Sequence, residues 1–471
     1  MLRNCLGRLS IMLFAALIAP PALAAALPPG VTAALAAAGI PVSAVGIVVQ
    51  EIGREQPRLA VNARQPMNPA SVMKLLTTWS ALETLGPAYT WKTEALAARL
   101  PRDGVLDGDL HLRGSGDPKL TFEQFWLLLR QLRARGVREI RGDLVLDRGL
   151  FAAVDEGVPF DDKPLRPYNV APDALLLNFK SVTLTLIPDS AQQRVQVLPE
   201  PEPDNLEIVN AIKLGNNGCG EWKDALKPEL DRTGSGWRLV LGGSYTAACG
   251  EKRWNLGVLP HDQYVLGVFR QLWLELGGEL RGNVRNASTP TDAFSLAAIE
   301  SPTLGEVVRD INKYSNNVMA RQLFLALASD RPATSEGASA AVKIWLASRG
   351  FDFPELVLDN GAGLSRRERI SPAHLAQLLA AAQASPLQPE FVASLPLTAV
   401  DGTMKKRLNG DGIAGHGHIK TGTLEGVKTL AGYVQDNRGR EVIVVFFVNH
   451  PNAQQAETAQ DALLKWVYSG P

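Results

Sequence analysis

A serine and a lysine three residues apart stand in PASVMKLLTTWSALETLG, where Val72, Leu75, Leu76, Trp79, Leu82 and Leu85 recur at the spacing of a helix face packed into a core. Ser71 falls in the first turn, where unpaired backbone N–H groups and the positive end of the helix dipole favour negative charge. Lys74 comes round beside it. Burial and cationic neighbours can hold such an amine neutral near pH 7, so the pair can encode a nucleophile and its base. The plainer alternative is an N-terminal serine with a lysine snorkelling to solvent. In KYSNNVM, Ser315 and Asn317 lie at the junction of two apolar helical patterns, where they could face a cleft or serve as helix caps. In GHIKTGTLEGV, Lys420, Thr421 and Gly422 fall on an expected strand, where glycine lets another backbone or a ligand come close.

The elements that would position these residues are readable in outline. PVSAVGIVVQEIGREQPRLAVN reads as two strands turning at Ile52-Gly53-Arg54, and NPAS opens the helix that carries Ser71. From about residue 98, short apolar runs broken by Gly, Pro and Asp give a β-rich region with helices expected at 121–135 and 262–277. The polar segment RNASTPTD marks its end near 290. Helical patterns then resume, and TLAGYVQDNRGREVIVVFFVNH gives two strands before a closing helix, AETAQDALLKWVY. The expected fold is therefore α/β (α+β): one antiparallel sheet-and-helix domain from 25–97 and 290–471, interrupted by a β-rich insertion at 98–289.

Arg3 and Arg8, an apolar run and Ala22-Leu23-Ala24 read as a cleaved secretory signal over residues 1–24, with the apolar run too short for a membrane span. Residues 48 basic and 48 acidic balance in the full chain, so nothing suggests a nucleic-acid partner. Cys219 and Cys249 remain after the leader is lost; an even pair in an exported protein reads as a disulfide, with two unconnected thiols as the alternative. His416 and His418 could share a strand face, but no third ligand or H-E-x-x-H motif accompanies them, so no metal is expected. The closing ALLKWVY fits a packed helix better than a membrane-lying anchor.

The order S-x-x-K, S-x-N, K-T-G in these contexts resembles the penicillin-recognising serine enzymes. Ser71 and Ser315 lie about 240 residues apart, more than one compact domain of that fold requires, and the excess matches the inserted region. The layout is similar to the low-molecular-mass class C penicillin-binding proteins, the DacB-type D-alanyl-D-alanine carboxypeptidases and endopeptidases. LRGSGDPKLT, YNVAPDALLLNF, DNGAGLSR, LPLTAVDGTMKKRL and HIKTGTLEGVKTLAGYV add to the resemblance, which is weakest between about 190 and 255.

The resemblance implies a transpeptidase-like or β-lactamase-like domain whose insertion divides into a second domain and a nested third near 178–255, an acyl-enzyme mechanism on peptidoglycan peptides in the periplasm, covalent inhibition by β-lactams and no cofactor. It implies that Ser71 attacks, Lys74 takes its proton, and Ser315 with Lys420 passes a proton to the departing amine. Asn317 would hold the substrate amide, Lys420 and Thr421 would bind the terminal carboxylate or its β-lactam mimic, Gly422 and Thr423 would join Thr421 in lining the substrate site, and the N–H groups of Ser71 and Thr423 would form an oxyanion hole. Asp147, Phe151 and Arg366 stand in stretches comparable to those that meet the stem-peptide side chain; an ordinary surface acid and a structural arginine are the alternative for Asp147 and Arg366. The middle triplet is Ser-Asn-Asn rather than Ser-Asp-Asn, a change that spares the two working side chains. No candidate is evident for the deacylating carboxylate of class A β-lactamases, which disfavours a β-lactamase. A non-catalytic penicillin-binding protein and an esterase of the same superfamily are the other readings.

Overall fold

The computed structural model describes residues 26–154, 159–234 and 236–470; the expected export signal at 1–24 lies outside them. A five-stranded antiparallel sheet runs in the order Gly417–Leu424, Val427–Gln435, Glu441–Asn449, Val45–Glu51, Leu59–Val61. Both of its faces are covered. In Glu441–Asn449, Ile443, Val445 and Phe447 enter one core and Val442, Val444, Phe446 and Val448 enter another, which is why VIVVFFV is continuously apolar rather than alternating. Helices Pro29–Ala37 and Glu457–Tyr468 close the second core through Val31, Leu35, Leu463, Leu464 and Val467.

The first core is built on helices Lys74–Leu85, Leu304–Tyr314, Asn317–Ala326, Ser335–Ser348 and Pro372–Gln383. The expected first turn of the Ser71 helix is a 3-10 turn, Ala70–Met73, that runs straight into Lys74–Leu85. Helix Ser335–Ser348 had no clear signal in the sequence, because its buried stripe is only Ala338, Val342 and Leu346. The two helices expected in the inserted region lie at Phe122–Ala134 and His261–Glu275.

The chain leaves the three-layer unit through Lys92–Ala97 and returns through Phe294–Glu300, and these two strands pair with each other. They head a five-stranded sheet with Leu110–Arg113, Leu144–Asp147 and Val284–Asn286. A seven-stranded sheet occupies Val182–Asp189 to Lys252–Leu256, with Cys219 and Cys249 joined by a disulfide. Leu112, Leu146, Leu184, Leu239, Phe125 and Phe269 share one core, so the two inserted sheets and their helices pack as a unit.

Candidate active site

Ser71 is placed by a bend and two close backbone approaches. Ala70 adopts a left-handed conformation (φ +46°), sparsely populated for alanine and held only where neighbours enforce it. The enforcement comes from asparagines: the Asn68 side chain accepts from the Ala70 N–H at 2.8 Å and donates to the Ser365 carbonyl at 2.8 Å, while Asn449 exchanges two hydrogen bonds with the Asn68 backbone. A Cβ at Gly363 would lie 1.8 Å from the Ala70 carbonyl oxygen, and one at Gly422 would lie 2.9 Å from the Ser71 nitrogen and 2.3 Å from Thr429 Oγ1. Those two glycines let the loop after Asp359 and the edge strand close on the serine from separate directions.

Lys74 is fully buried. Its Nζ lies 3.0 Å from Ser71 Oγ and 2.6 Å from Asn317 Oδ1, and donates to the carbonyl of Ala362. Burial, then the nearby Lys420 cation, push its pKa well below the ordinary lysine value, with Glu368 opposing. A neutral amine has two hydrogens and one lone pair. Asn317 Oδ1 and Ala362 O take the hydrogens, which leaves the lone pair for the Ser71 hydroxyl.

Ser315 follows helix Leu304–Tyr314 in the left-handed region (φ 56°, ψ 37°), and Asn316, not Ser315 or Asn317, caps the next helix through the Met319 N–H at 3.1 Å. The capping role expected of this triplet thus falls on its central residue, leaving the outer two free for the cleft. Lys420 Nζ donates to Ser315 Oγ at 2.8 Å and to the Thr421 carbonyl at 2.7 Å, and burial lowers its pKa to about 7. On the open edge of Gly417–Leu424 the Ile419 N–H donates outward to Pro396 O at 2.7 Å. Strand alternation turns the Thr421 and Thr423 N–H groups to that same edge. The Thr421 hydroxyl bonds Thr403 Oγ1 at 2.8 Å. Ser71, Lys74, Ser315, Asn317, Lys420 and Gly422 therefore converge from three segments of the chain.

Asp147 and Phe151 line a separate cavity of 410 Å³ with Arg148 and Asp173. Asp147 accepts from the Thr289 N–H at 2.9 Å, and Phe151 is buried. Arg366 lies elsewhere: its guanidinium is 3.0 Å from Glu425 and 5.2 Å from the centre of the Phe160 ring. Among the described residues no hydrogen bond or ion pair joins Asp147 to Arg366.

Two features of the site escaped the sequence. Glu368 is fully buried, and its Oε1 accepts the N–H groups of Asn360 and Gly361 at 3.0 Å and of Asp359 at 3.3 Å. That gathers the turn whose next carbonyls, Gly361 and Ala362, bond Thr77 and Lys74. Among three arginines in SRRER, an acid looks like a solvated charge, and no local signal says otherwise. Lys313 is likewise buried, with Nζ 2.9 and 2.7 Å from the two oxygens of Asp401, tying the helix that ends just before Ser315 to the loop that presents Thr403.

The chain is 27% identical over 413 residues to the D-alanyl-D-alanine carboxypeptidase DacB of Haemophilus influenzae, covering 86% of this chain and 85% of that one. It is 30% identical over 440 residues to a D-alanyl-D-alanine carboxypeptidase of an Actinomadura strain, covering 89% and 80%. The fold superimposes on the crystal structure of penicillin-binding protein 4 from Haemophilus influenzae with a TM-score of 0.76 at 25% identity, over 90% of this chain and 96% of that one. A further structure of that protein is complexed with a β-lactam. Residues 30–469 match the D-Ala-D-Ala carboxypeptidase 3 (S13) family, and this chain is a member of it.

Proposed function

We propose that this protein is a serine D-Ala-D-Ala carboxypeptidase and endopeptidase of peptidoglycan, working through an acyl-enzyme on Ser71. The observation that carries the reading is the geometry at Lys74: its buried Nζ lies 3.0 Å from the Ser71 hydroxyl, with two carbonyl oxygens, Asn317 Oδ1 and Ala362 O, placed to take the hydrogens of a neutral amine. Lys74 takes the Ser71 proton as Oγ attacks the carbonyl of the penultimate D-alanine. The N–H groups of Ser71 and Thr423 receive the developing oxyanion. Ser315, bonded to Lys420, delivers a proton to the departing amine, and Asn317 orients the scissile amide. Lys420 and the Thr421 hydroxyl hold the terminal carboxylate; the β-lactam carboxylate takes the same place, and opening of the lactam leaves the drug on Ser71. Water then releases the acyl group.

The inserted sheets wall the cleft, and the cavity at Asp147 and Phe151 receives the stem-peptide side chain, with Arg366 swinging from Glu425 to meet its carboxylate. The leader at 1–24 directs the protein to the periplasm. Among the described residues no helix is long and apolar enough to cross a membrane. The test is labelling with a fluorescent penicillin followed by mapping of the modified peptide. Modification is expected on Ser71 and absent in Ser71→Ala; covalent labelling of that variant would overturn the assignment.

A further inference from the structure

A cavity of 570 Å³ opens beside Ser315, within the size range of pockets that hold small ligands and short peptide segments. The triplet Ser315, Asn316 and Asn317 lines it on one side. The inserted region lines it on the other, through Phe179 and Ser181, Thr183 of Val182–Asp189, and Asn255 of Lys252–Leu256.

Three observations mark it as built for a ligand. Asn178, Phe179 and Lys180 are consecutive left-handed residues (φ 45°, 54° and 49°), and strain of this kind persists where a ligand site requires it. Ser181 is buried and among the described residues its hydroxyl has no hydrogen-bond partner, a rare condition for a buried polar atom. Among the described residues the lining carries no acid, lysine or arginine, and it offers the carboxamides of Asn316 and the exposed Asn255. Carboxamides and hydroxyls without charge suit an amide backbone. The cavity at Asp147, with Asp147, Arg148 and Asp173, has the opposite character.

We infer that the cavity beside Ser315 receives the second strand of a cross-linked peptide pair, the amide-bearing chain that continues from the departing amine. The inference rests on the function proposed above. There the Ser71 Oγ–C bond forms as the C–N bond to the second strand breaks; Lys74 takes the serine proton, and Ser315, bonded to Lys420, supplies one to the departing nitrogen. Whatever that nitrogen carries must therefore leave along the Ser315 wall. A lone D-alanine needs only the carboxylate site at Thr421, whereas a cross-link brings a whole peptide, and the adjoining uncharged cavity gives its amides partners.

The test compares a cross-linked peptide dimer and a monomeric peptide ending in D-Ala-D-Ala, both without sugar, on the full mature protein and on Asn255→Trp. Asn255 is exposed on the edge strand Lys252–Leu256, so the substitution fills the mouth of the cavity without entering a core. Expected is a loss of about tenfold or more in kcat/KM for the dimer, with the monomer and the rate of penicillin acylation unchanged within about twofold. Thr183→Trp, from the adjoining strand, should reproduce the split, and an unchanged acylation rate certifies the fold of each variant. Equal loss on both substrates, no loss on the dimer, or a loss seen only when glycan is attached would overturn the inference. Failure of the unsubstituted protein to take up penicillin would overturn the underlying function instead, and this inference with it.

Discussion

Two sheets in this molecule, one antiparallel throughout and one mixed, are put to opposite ends. In the catalytic sheet, Val427–Gln435 and Glu441–Asn449 are buried on both faces and hold Lys420 on the neighbouring strand away from water. In the inserted seven-stranded sheet, Arg194–Glu200 and Leu226–Arg232 alternate exposed positions with buried or half-buried ones, and a disulfide ties Cys219 to Cys249. A sheet dry on both sides can shift the pKa of a lysine set against it, because the cation loses its hydration. A sheet with one wet face serves as a wall. The contrast teaches that chemistry here follows from layering, and that disruption of each region should have a different signature.

The largest effect on acylation is expected from Lys74→Met, which keeps the apolar stem and removes the base. Stopped-flow acylation by a fluorescent penicillin should slow by about a thousandfold or more, with the fold retained. A loss of under about tenfold would place the base elsewhere.

Next comes Glu368. Glu368→Ala leaves the N–H groups of Asp359, Asn360 and Gly361 buried without their acceptor and frees the turn that supplies a carbonyl to Lys74. A stability loss of about 3 kcal/mol and acylation slower by about tenfold are expected. Glu368→Gln, which still offers an oxygen, should recover most of both. Denaturant unfolding and acylation kinetics on the two variants check this, and equal damage from both would assign the effect to charge rather than to the turn.

The dry sheet also has a pH signature. Burial holds Lys420 at about 7 in the folded chain, against about 10.4 for an unfolded lysine. Between those values the unfolded state binds more protons, so stability rises with pH across that window; below about 7 this group contributes no slope. Lys74, lowered in the same direction, adds to the trend. Denaturation midpoints from neutral to alkaline pH should show the rise, and Lys420→Met should flatten it. In catalysis Lys74 must be neutral, so acylation increases with pH through its lowered pKa. The rate then falls as Lys420 loses the charge that anchors the carboxylate.

The smallest effect on acylation is expected in the inserted sheet. Cys219→Ala with Cys249→Ala opens a loop of sequence separation 30 and should cost that region about 3 kcal/mol. Penicillin acylation should stay within about twofold. A large drop in acylation would mean that the inserted sheet is coupled to the catalytic one, and the contrast between them would fail.

Much of the site is legible in the chain because its chemistry is written at short range. Ser71 and Lys74 are brought together by one helical turn, and Lys420, Thr421 and Gly422 by one strand. Helices such as Phe122–Ala134 announce themselves by a strong apolar stripe, whereas Ser335–Ser348, with small residues on its buried face, does not. Asp147 and Arg366 can be named from the chain, but their partners, the Thr289 N–H and Glu425, come from loops far away in sequence.

The sequence by itself determined which groups are present and which neighbours share a turn or a strand: the nucleophile beside an amine, a glycine where backbones meet, apolar runs long enough for two buried sheet faces. Only the tertiary structure decided the lowered basicity of that amine, the burial of Glu368 among arginines, the left-handed turns at Ala70 and Ser315, and the uncharged cavity between Ser315 and Asn255. The reason is physical. Spacing is a local property of the chain, but desolvation and hydrogen-bond satisfaction depend on what distant segments bring to the same place.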